Sequence, residues 1–289
     1  METRDLLKQI QRLEFKTRKL TKHVFSGQYK SAFKGRGMAF SEVREYQVGD
    51  EIRTIDWNVT ARYQSPYVKV FEEERELTVM LLLDISNSLS TGLDERSKRQ
   101  RMVEIAATLA FSAMANGDKV GAIFYSDEVE YFLPPKKGRD HILLILRQMI
   151  EWRTKKQGTS LKSALSTLRN TIKKHSITFI ISDFEDESFS ADDLKRTSKR
   201  HDLIAISLEE KADFNLPTNG FIQLRHAETG ELTWVNAGAN HTQKLLQKEY
   251  AFQLMQREKT FRSAGVDWVN IPTDQDFIPS LVKLFKQRK

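Results

Sequence analysis

Cysteine is absent from the 289-residue chain. Disulfides, thiolate zinc sites and cysteine nucleophiles are therefore excluded. Histidine is scarce, with six scattered residues, which argues against a His-rich metal site. No apolar run approaches the roughly 18–20 residues that a bilayer-spanning helix requires. The start, Met1-Glu2-Thr3-Arg4-Asp5, leads into a charged amphipathic stretch without the apolar centre of a signal peptide. A cytoplasmic protein without a transmembrane segment is the expectation. Catalytic signatures are missing too. Gly35-Arg36-Gly37 is followed by no Gly-Lys-Ser/Thr, no Gly-x-Ser-x-Gly elbow occurs, and the histidines suggest no triad.

A hydrophobic fraction of 39% and a charged fraction of 29% describe a soluble globular chain. Its length suits one large domain with an appended module, or two ordinary domains. The net charge of +7 raises the question of a nucleic-acid partner. Basic residues gather early, at Lys16, Arg18, Lys19, Lys22, His23, Lys30, Lys34 and Arg36. They read more simply as the solvated face of a helix followed by a basic loop, because no recognition motif or regular set of stacking aromatics accompanies them. No nucleic-acid partner is expected.

The chain changes rhythm near residue 77. Before it, Leu6, Leu7, Ile10, Leu13, Leu20 and Val24 predict a helix over about 6–25. Gly27, Gly35, Gly37 and Gly49 then interrupt short polar and aromatic segments, as in a loop-rich or β-rich appendage, with a strand at 67–71. From residue 77 onward, apolar strands alternate with helices. Strands are expected near 78–83, 119–125, 177–181, 202–207 and 266–269. Helices are expected near 97–116, 140–152, 161–172, 191–199, 242–263 and 277–286. A short strand at 129–133 follows its predecessor so closely that it reads as an antiparallel edge, stopped by Pro134-Pro135. Segments 221–224 and 232–235 flank Glu228-Thr229-Gly230-Glu231 as an inserted hairpin. The expected fold is α/β: a doubly wound, mostly parallel, Rossmann-like sheet over 77–289, preceded by a helix and a β/loop-rich segment over 1–76.

Ligands of open α/β sheets bind outside the carboxyl ends of the strands. Three groups of hard oxygen donors fall at or near such ends: Asp84 with Ser86 and Ser88, Thr159, and Asp183. Mg²⁺ takes near-octahedral oxygen ligands at about 2.0–2.1 Å and keeps some waters. Two hydroxyls at alternate positions after a carboxylate can converge on one ion if the chain turns sharply. Each group alone has a plainer reading. Asp-x-Ser-x-Ser suits a turn or helix cap, Thr159 or Ser160 can cap the helix at Leu161, and Asp183 suits a turn or cap. Their joint placement favours a metal.

The order Asp-x-Ser-x-Ser, Gly-Thr-Ser-Leu, Ile-Ile-Ser-Asp resembles the metal-ion-dependent adhesion site of von Willebrand factor A domains. That resemblance implies Asp84, Ser86, Ser88, Thr159 and Asp183 as the ligating positions for Mg²⁺ (or Mn²⁺ or Ca²⁺), with Asp183 often acting through water. Leu89 stands where many relatives carry Met, and Phe184 follows Asp183 where Gly is common. The segment Gly37-Met38-Ala39-Phe40-Ser41-Glu42-Val43-Arg44-Glu45-Tyr46-Gln47-Val48-Gly49-Asp50, continuing through Ile52-Arg53-Thr54-Ile55-Asp56-Trp57 to Thr60-Ala61-Arg62, closely resembles the signature of the bacterial family called domain of unknown function 58. Within it Arg44, Asp50, Arg53, Asp56, Trp57 and Arg62 form either a salt-bridged framework or a surface for a partner. The resemblance implies a partner among the MoxR-type AAA+ ATPases, a carboxylate-bearing client, and a non-catalytic adaptor role in assembling or maturing other proteins. Two other classes remain open: a metal-dependent phosphoryl-transfer or hydrolytic enzyme working through Asp84 and Asp183, and a nucleic-acid binder using the basic N-terminal region.

Overall fold

The computed structural model describes residues 39–72, 76–86, 98–152, 154, 158–185, 189–210, 220–225, 232–236 and 240–288. The expected helix over 6–25, the early basic residues, Ser88 and the turn at 228–231 lie outside the described residues. The described residues divide into two compact units, one within Phe33–Leu77 and one within Thr78–Lys289.

In the first unit, β1 (Ala39–Glu45) pairs antiparallel with β2 (Tyr67–Glu72), with an irregularity between Phe40 and Glu42. Between them lie a 3₁₀ turn (Ile52–Thr54) and a short helix, α1 (Trp57–Tyr63). The Asp56 carboxylate caps α1 by accepting from the amides of Asn58 and Val59, donors that a helix start leaves unpaired.

The second unit is a six-stranded sheet. In chain order it comprises β3 (Thr78–Asp84), α2 (Lys98–Ala115), β4 (Lys119–Tyr125), β5 (Val129–Lys136), α3 (Arg139–Glu151) and α4 (Leu161–Thr171). β6 (Ile177–Ser182), α5 (Ala191–Ser198) and β7 (Asp202–Glu209) follow. A separate antiparallel pair, β8 (Phe221–Arg225) with β9 (Leu232–Asn236), precedes α6 (Asn240–Ser263), β10 (Asp267–Pro272) and α7 (Ile278–Gln287). The strand order is β10-β7-β6-β3-β4-β5, parallel throughout except for β5.

β3 lies in the interior of this sheet, and Val79 to Leu83 are fully buried. That explains its unbroken apolar run, since a strand covered on both faces has no polar face to alternate with. Met80, Leu82, Ile123, Tyr125 and Ile180 point into a core shared with Leu161, Leu165, Leu168 and Phe261 of α4 and α6. On α7, Phe285 meets Phe179 of β6 edge-on at 6.3 Å.

One expectation is corrected. Pro134-Pro135 does not stop the fifth strand, which continues to Lys136. β5 is the edge of the sheet, where a proline's missing N–H costs no ladder bond, and the register shifts between Val120 and Ala122, opposite the prolines. The same crossing requires Gly121. A Cβ there would lie 2.8 Å from Met80 Sδ and 2.9 Å from both the Leu133 oxygen and the Pro135 nitrogen. Two of these are backbone atoms that cannot step aside. Gly121→Ala is expected to cost about 1–3 kcal/mol, measurable as a fall in Tm; an unchanged Tm would show that β5 can shift outward freely.

Candidate metal centre

Asp84 ends β3 at the carboxyl edge of the sheet, beside Tyr125 of β4. It is 1% exposed. Its Oδ1 accepts from the Ser86 amide at 2.9 Å, and its Oδ2 from the Ser182 hydroxyl at 2.6 Å. The Ser86 hydroxyl also bonds to it. The turn expected of Asp-x-Ser is therefore formed, and the carboxylate is in addition tied to the end of β6.

Asp183 follows directly on β6 and is 3% exposed. Burial, joined by the nearby Asp183 charge, pushes the Asp84 carboxyl up to about 7 against the lowering effect of the serine bonds. A buried carboxyl raised in this way is relieved by a proton or by a cation at its oxygens.

The 183–185 turn keeps the shape that a glycine would favour. Phe184 has φ +54°, a left-handed conformation that costs an ordinary residue about 1–2 kcal/mol. Its amide donates to Ser182 Oγ at 2.9 Å, and its buried ring packs edge-on against Phe261 at 5.1 Å and Phe189 at 6.1 Å. Ring burial offsets the backbone strain, so phenylalanine stands where the turn alone favours glycine. From α6, Arg257 Nη1 donates to the Asp183 carbonyl at 2.9 Å and holds the turn from the other side.

Thr159 lies in the loop before α4. The Ser160 amide donates to the Ser126 carbonyl at 2.6 Å, just past the end of β4, which fixes this loop at the same edge of the sheet as Asp84. Ser126 in turn donates to Glu130 Oε1 at 2.6 Å, and Trp152 Nε1 donates to Glu130 Oε2 at 2.8 Å. Gly158, at φ +97°, allows the reversal. The helix cap is Ser160, whose hydroxyl accepts from the Ser163 amide. Thr159 is thus not the capping residue. The structure brings Asp84, Ser86 and Asp183 together and sets Thr159 in the adjoining loop.

Sequence reasoning missed a lysine. Lys98, the first residue of α2, is 2% exposed. Its Nζ lies 3.1 Å from Glu185 Oε1 and 3.5 Å from Asp183 Oδ2, and its amide donates to Glu210 Oε1 at 3.0 Å. A cation at a helix N-terminus opposes the helix dipole. That conflict was the available signal, hidden within the basic run Arg96-Ser97-Lys98-Arg99-Gln100-Arg101.

Among the described residues, no group of three or more His, Cys, Asp or Glu side chains is arranged to hold a metal. The candidate set is of another kind, two buried carboxylates supplemented by hydroxyls. Hard oxygen donors of this type fit Mg²⁺, which needs few protein charges because it retains waters. A cleft lined by Asp84, Ser86, Arg99, Met102 and Met149 opens beside them.

The signature residues belong to the other unit. Arg44 grips Asp50 through two bonds, Nη1 to Oδ2 at 2.8 Å and Nη2 to Oδ1 at 2.7 Å. The Arg44 hydrogen bond, with a second from the Gln47 amide, holds the Asp50 carboxyl below its ordinary range. Asp56 caps α1 and pairs with Lys69 at 3.4 Å. Arg53, Trp57 and Arg62 are exposed, Trp57 by 67%. Arg44, Asp50 and Asp56 therefore brace the local framework, while the other three face outward.

The mostly parallel, doubly wound sheet with helices packed against it defines an α/β domain. The chain belongs to the family described as "Protein of unknown function DUF58", whose match covers residues 42–257. An uncharacterized protein of Mycobacterium bovis, Mb1516, is 28% identical over 279 residues, 96% of this chain and 88% of that one. Similar solved structures include an aerotolerance-related membrane protein from Bacteroides fragilis, 17% identical with a TM-score of 0.48, covering 73% of this chain and 98% of that one. The VWA domain of SpRpn10 is 12% identical with a TM-score of 0.42, covering 74% of this chain and 95% of that one. Among the described residues, no helix is long and apolar enough to cross a membrane.

Proposed function

We propose that this protein is a non-catalytic, metal-dependent interaction module that docks a carboxylate of a partner on a Mg²⁺-type ion. Asp84, Ser86, Ser88, Thr159 and Asp183 supply the ligands. It acts in the cytoplasm as an adaptor to a MoxR-type AAA+ ATPase in the assembly or maturation of client proteins. The observation that carries the docking reading is the buried Asp84–Asp183 pair, which stands at a sheet edge with the Ser86 and Ser182 hydroxyls bonded to Asp84. Membership of the DUF58 family supports the choice of ATPase partner. Both oxygens of Asp84 already accept hydrogen bonds. This suits a fixed anchor for an ion better than an attacking nucleophile, and so favours docking over phosphoryl transfer.

The test uses the purified protein and the MoxR-type ATPase of the same organism, with binding followed by interferometry in MgCl₂ and in EDTA. Complex formation is expected in MgCl₂ and a loss of at least about tenfold in EDTA, roughly 1.4 kcal/mol or more. Asp84→Ala should behave as the wild type does in EDTA. Equal binding in all conditions rejects the metal-docked complex. Mg²⁺-dependent hydrolysis of p-nitrophenyl phosphate, abolished by Asp84→Ala, would establish the enzyme reading instead.

A further inference from the structure

A metal-docking site does not explain the buried Lys98 at the carboxylate edge. Burying an ammonium is costly, and placing it at the positive end of α2 adds to the cost. It is nonetheless 2% exposed, with its Nζ between the buried Asp183 and the partly exposed Glu185. The closer contact is to Glu185, at 3.1 Å against 3.5 Å. The backbone at this point is pinned, because the Lys98 amide donates to the buried Glu210 carboxylate at 3.0 Å. The ammonium therefore has an anchored stem and, among the described residues, one carboxylate inside the site and one at its rim.

We infer that Lys98 is the site's internal cation and sets its metal affinity: its ammonium neutralises Asp183 when no ion is bound, and a divalent ion must displace it toward Glu185. The inference rests on the reading of Asp84 and Asp183 as metal ligands. Two cations compete for one carboxylate, and the unit charge on Lys98 repels the incoming ion at short range in a poorly hydrated setting. Only an ion with greater charge density than ammonium gains enough from Asp84 and Asp183 together to win. Glu185 makes the exchange feasible, because the displaced ammonium retains a carboxylate partner.

The test is calorimetric titration of MgCl₂ into the full-length wild type, Lys98→Met and Lys98→Gln. Removing the charge is expected to tighten Mg²⁺ binding by about tenfold or more, the scale of one unit charge at a partly buried pair. Equal affinities in the three proteins overturn the inference and leave the metal site standing. No binding in any of them overturns the metal site itself, and the inference with it. A second measurement needs no variant. Amine acetylation of the native protein, read by mass spectrometry, should modify Lys98 slowly in EDTA and faster in saturating MgCl₂ as the ammonium moves to the rim. An unchanged rate at saturation rejects the displacement.

Discussion

Asp84→Asn is expected to abolish the Mg²⁺-induced rise in Tm and, at pH 8 in EDTA, to unfold at a higher temperature than the wild type. The two effects have opposite signs and one origin. In the metal-free wild type at pH 8 the Asp84 carboxylate is ionised, although burial and the Asp183 charge raise its pKa to about 7. An upward shift of about three units from the ordinary value corresponds to about 4 kcal/mol of lost stability, since each unit is worth about 1.4 kcal/mol. Asparagine removes the charge and keeps the shape. Its Oδ1 still accepts from the Ser86 amide, and its Nδ2 can donate to Ser182 Oγ. Part of the lost stability returns, for a rise of about 5–10 °C at roughly 2–4 °C per kcal/mol in a domain of this size. Binding of Mg²⁺ gives the wild type a comparable gain, about 2.7 kcal/mol when the ion is at a hundred times its Kd. The variant should show none of it. Scanning calorimetry of both proteins in EDTA and in saturating MgCl₂ decides the matter. An equal Mg²⁺ response in the two would remove Asp84 from the ligand set.

How far the fold could be read depended on what each segment packs against. The Val79–Leu83 run announces a strand buried on both faces because burial is the only way to hide five consecutive apolar residues. The spacing of Leu161, Ala164, Leu165 and Leu168 announces α4, because that face alone meets the sheet. Pro134-Pro135 misled because proline ends a strand only where its missing N–H is needed, and edge position is a tertiary property.

The candidate site divides in the same way. Asp84 and Asp183 were legible because strand ends can be placed from the apolar runs. Ser160, rather than Thr159, being the cap could not be chosen from two adjacent hydroxyls. Phe184 holds a left-handed turn only because Phe261 and Phe189 receive its ring, partners distant in sequence or beyond the turn. Lys98 was hidden for a similar reason. The carboxylates its ammonium meets lie 85 and 87 residues away, and the arginines around it mask the one local signal, a cation at a helix start.

Acid conditions should separate Asp84 from a second buried group. His201, just before β7, has its imidazole pKa pushed down to about 4 by burial, aided by His175, Arg200 and Arg169. Its Nδ1 lies 2.8 Å from Ser176 Oγ. Between about pH 4 and 6.5 the unfolded chain holds a proton on this ring that the folded protein lacks. Its contribution to stability is therefore full above 6.5 and lost as the pH falls toward 4. Asp84 works the other way. Between about 4 and 7 the folded protein holds a proton that the unfolded chain has released, so its contribution is full below 4 and lost as the pH rises toward 7. The two windows overlap with opposite signs and partly cancel in the metal-free wild type. Asp84→Asn should leave His201 in control, with a variant that loses stability from pH 6.5 to 4 more steeply than the wild type does. His201→Asn should leave Asp84 in control, and its stability should increase relative to the wild type over the same descent. Urea unfolding in EDTA across that range measures both differences, and carboxylates remote from the two groups contribute equally to each protein and drop out. Mg²⁺ adds a further check, because the ion and the proton compete for the same oxygens. Its apparent Kd in the wild type should rise about tenfold for each pH unit below 7. A Kd that stays level from pH 7 to 5 would mean that the ion binds without Asp84.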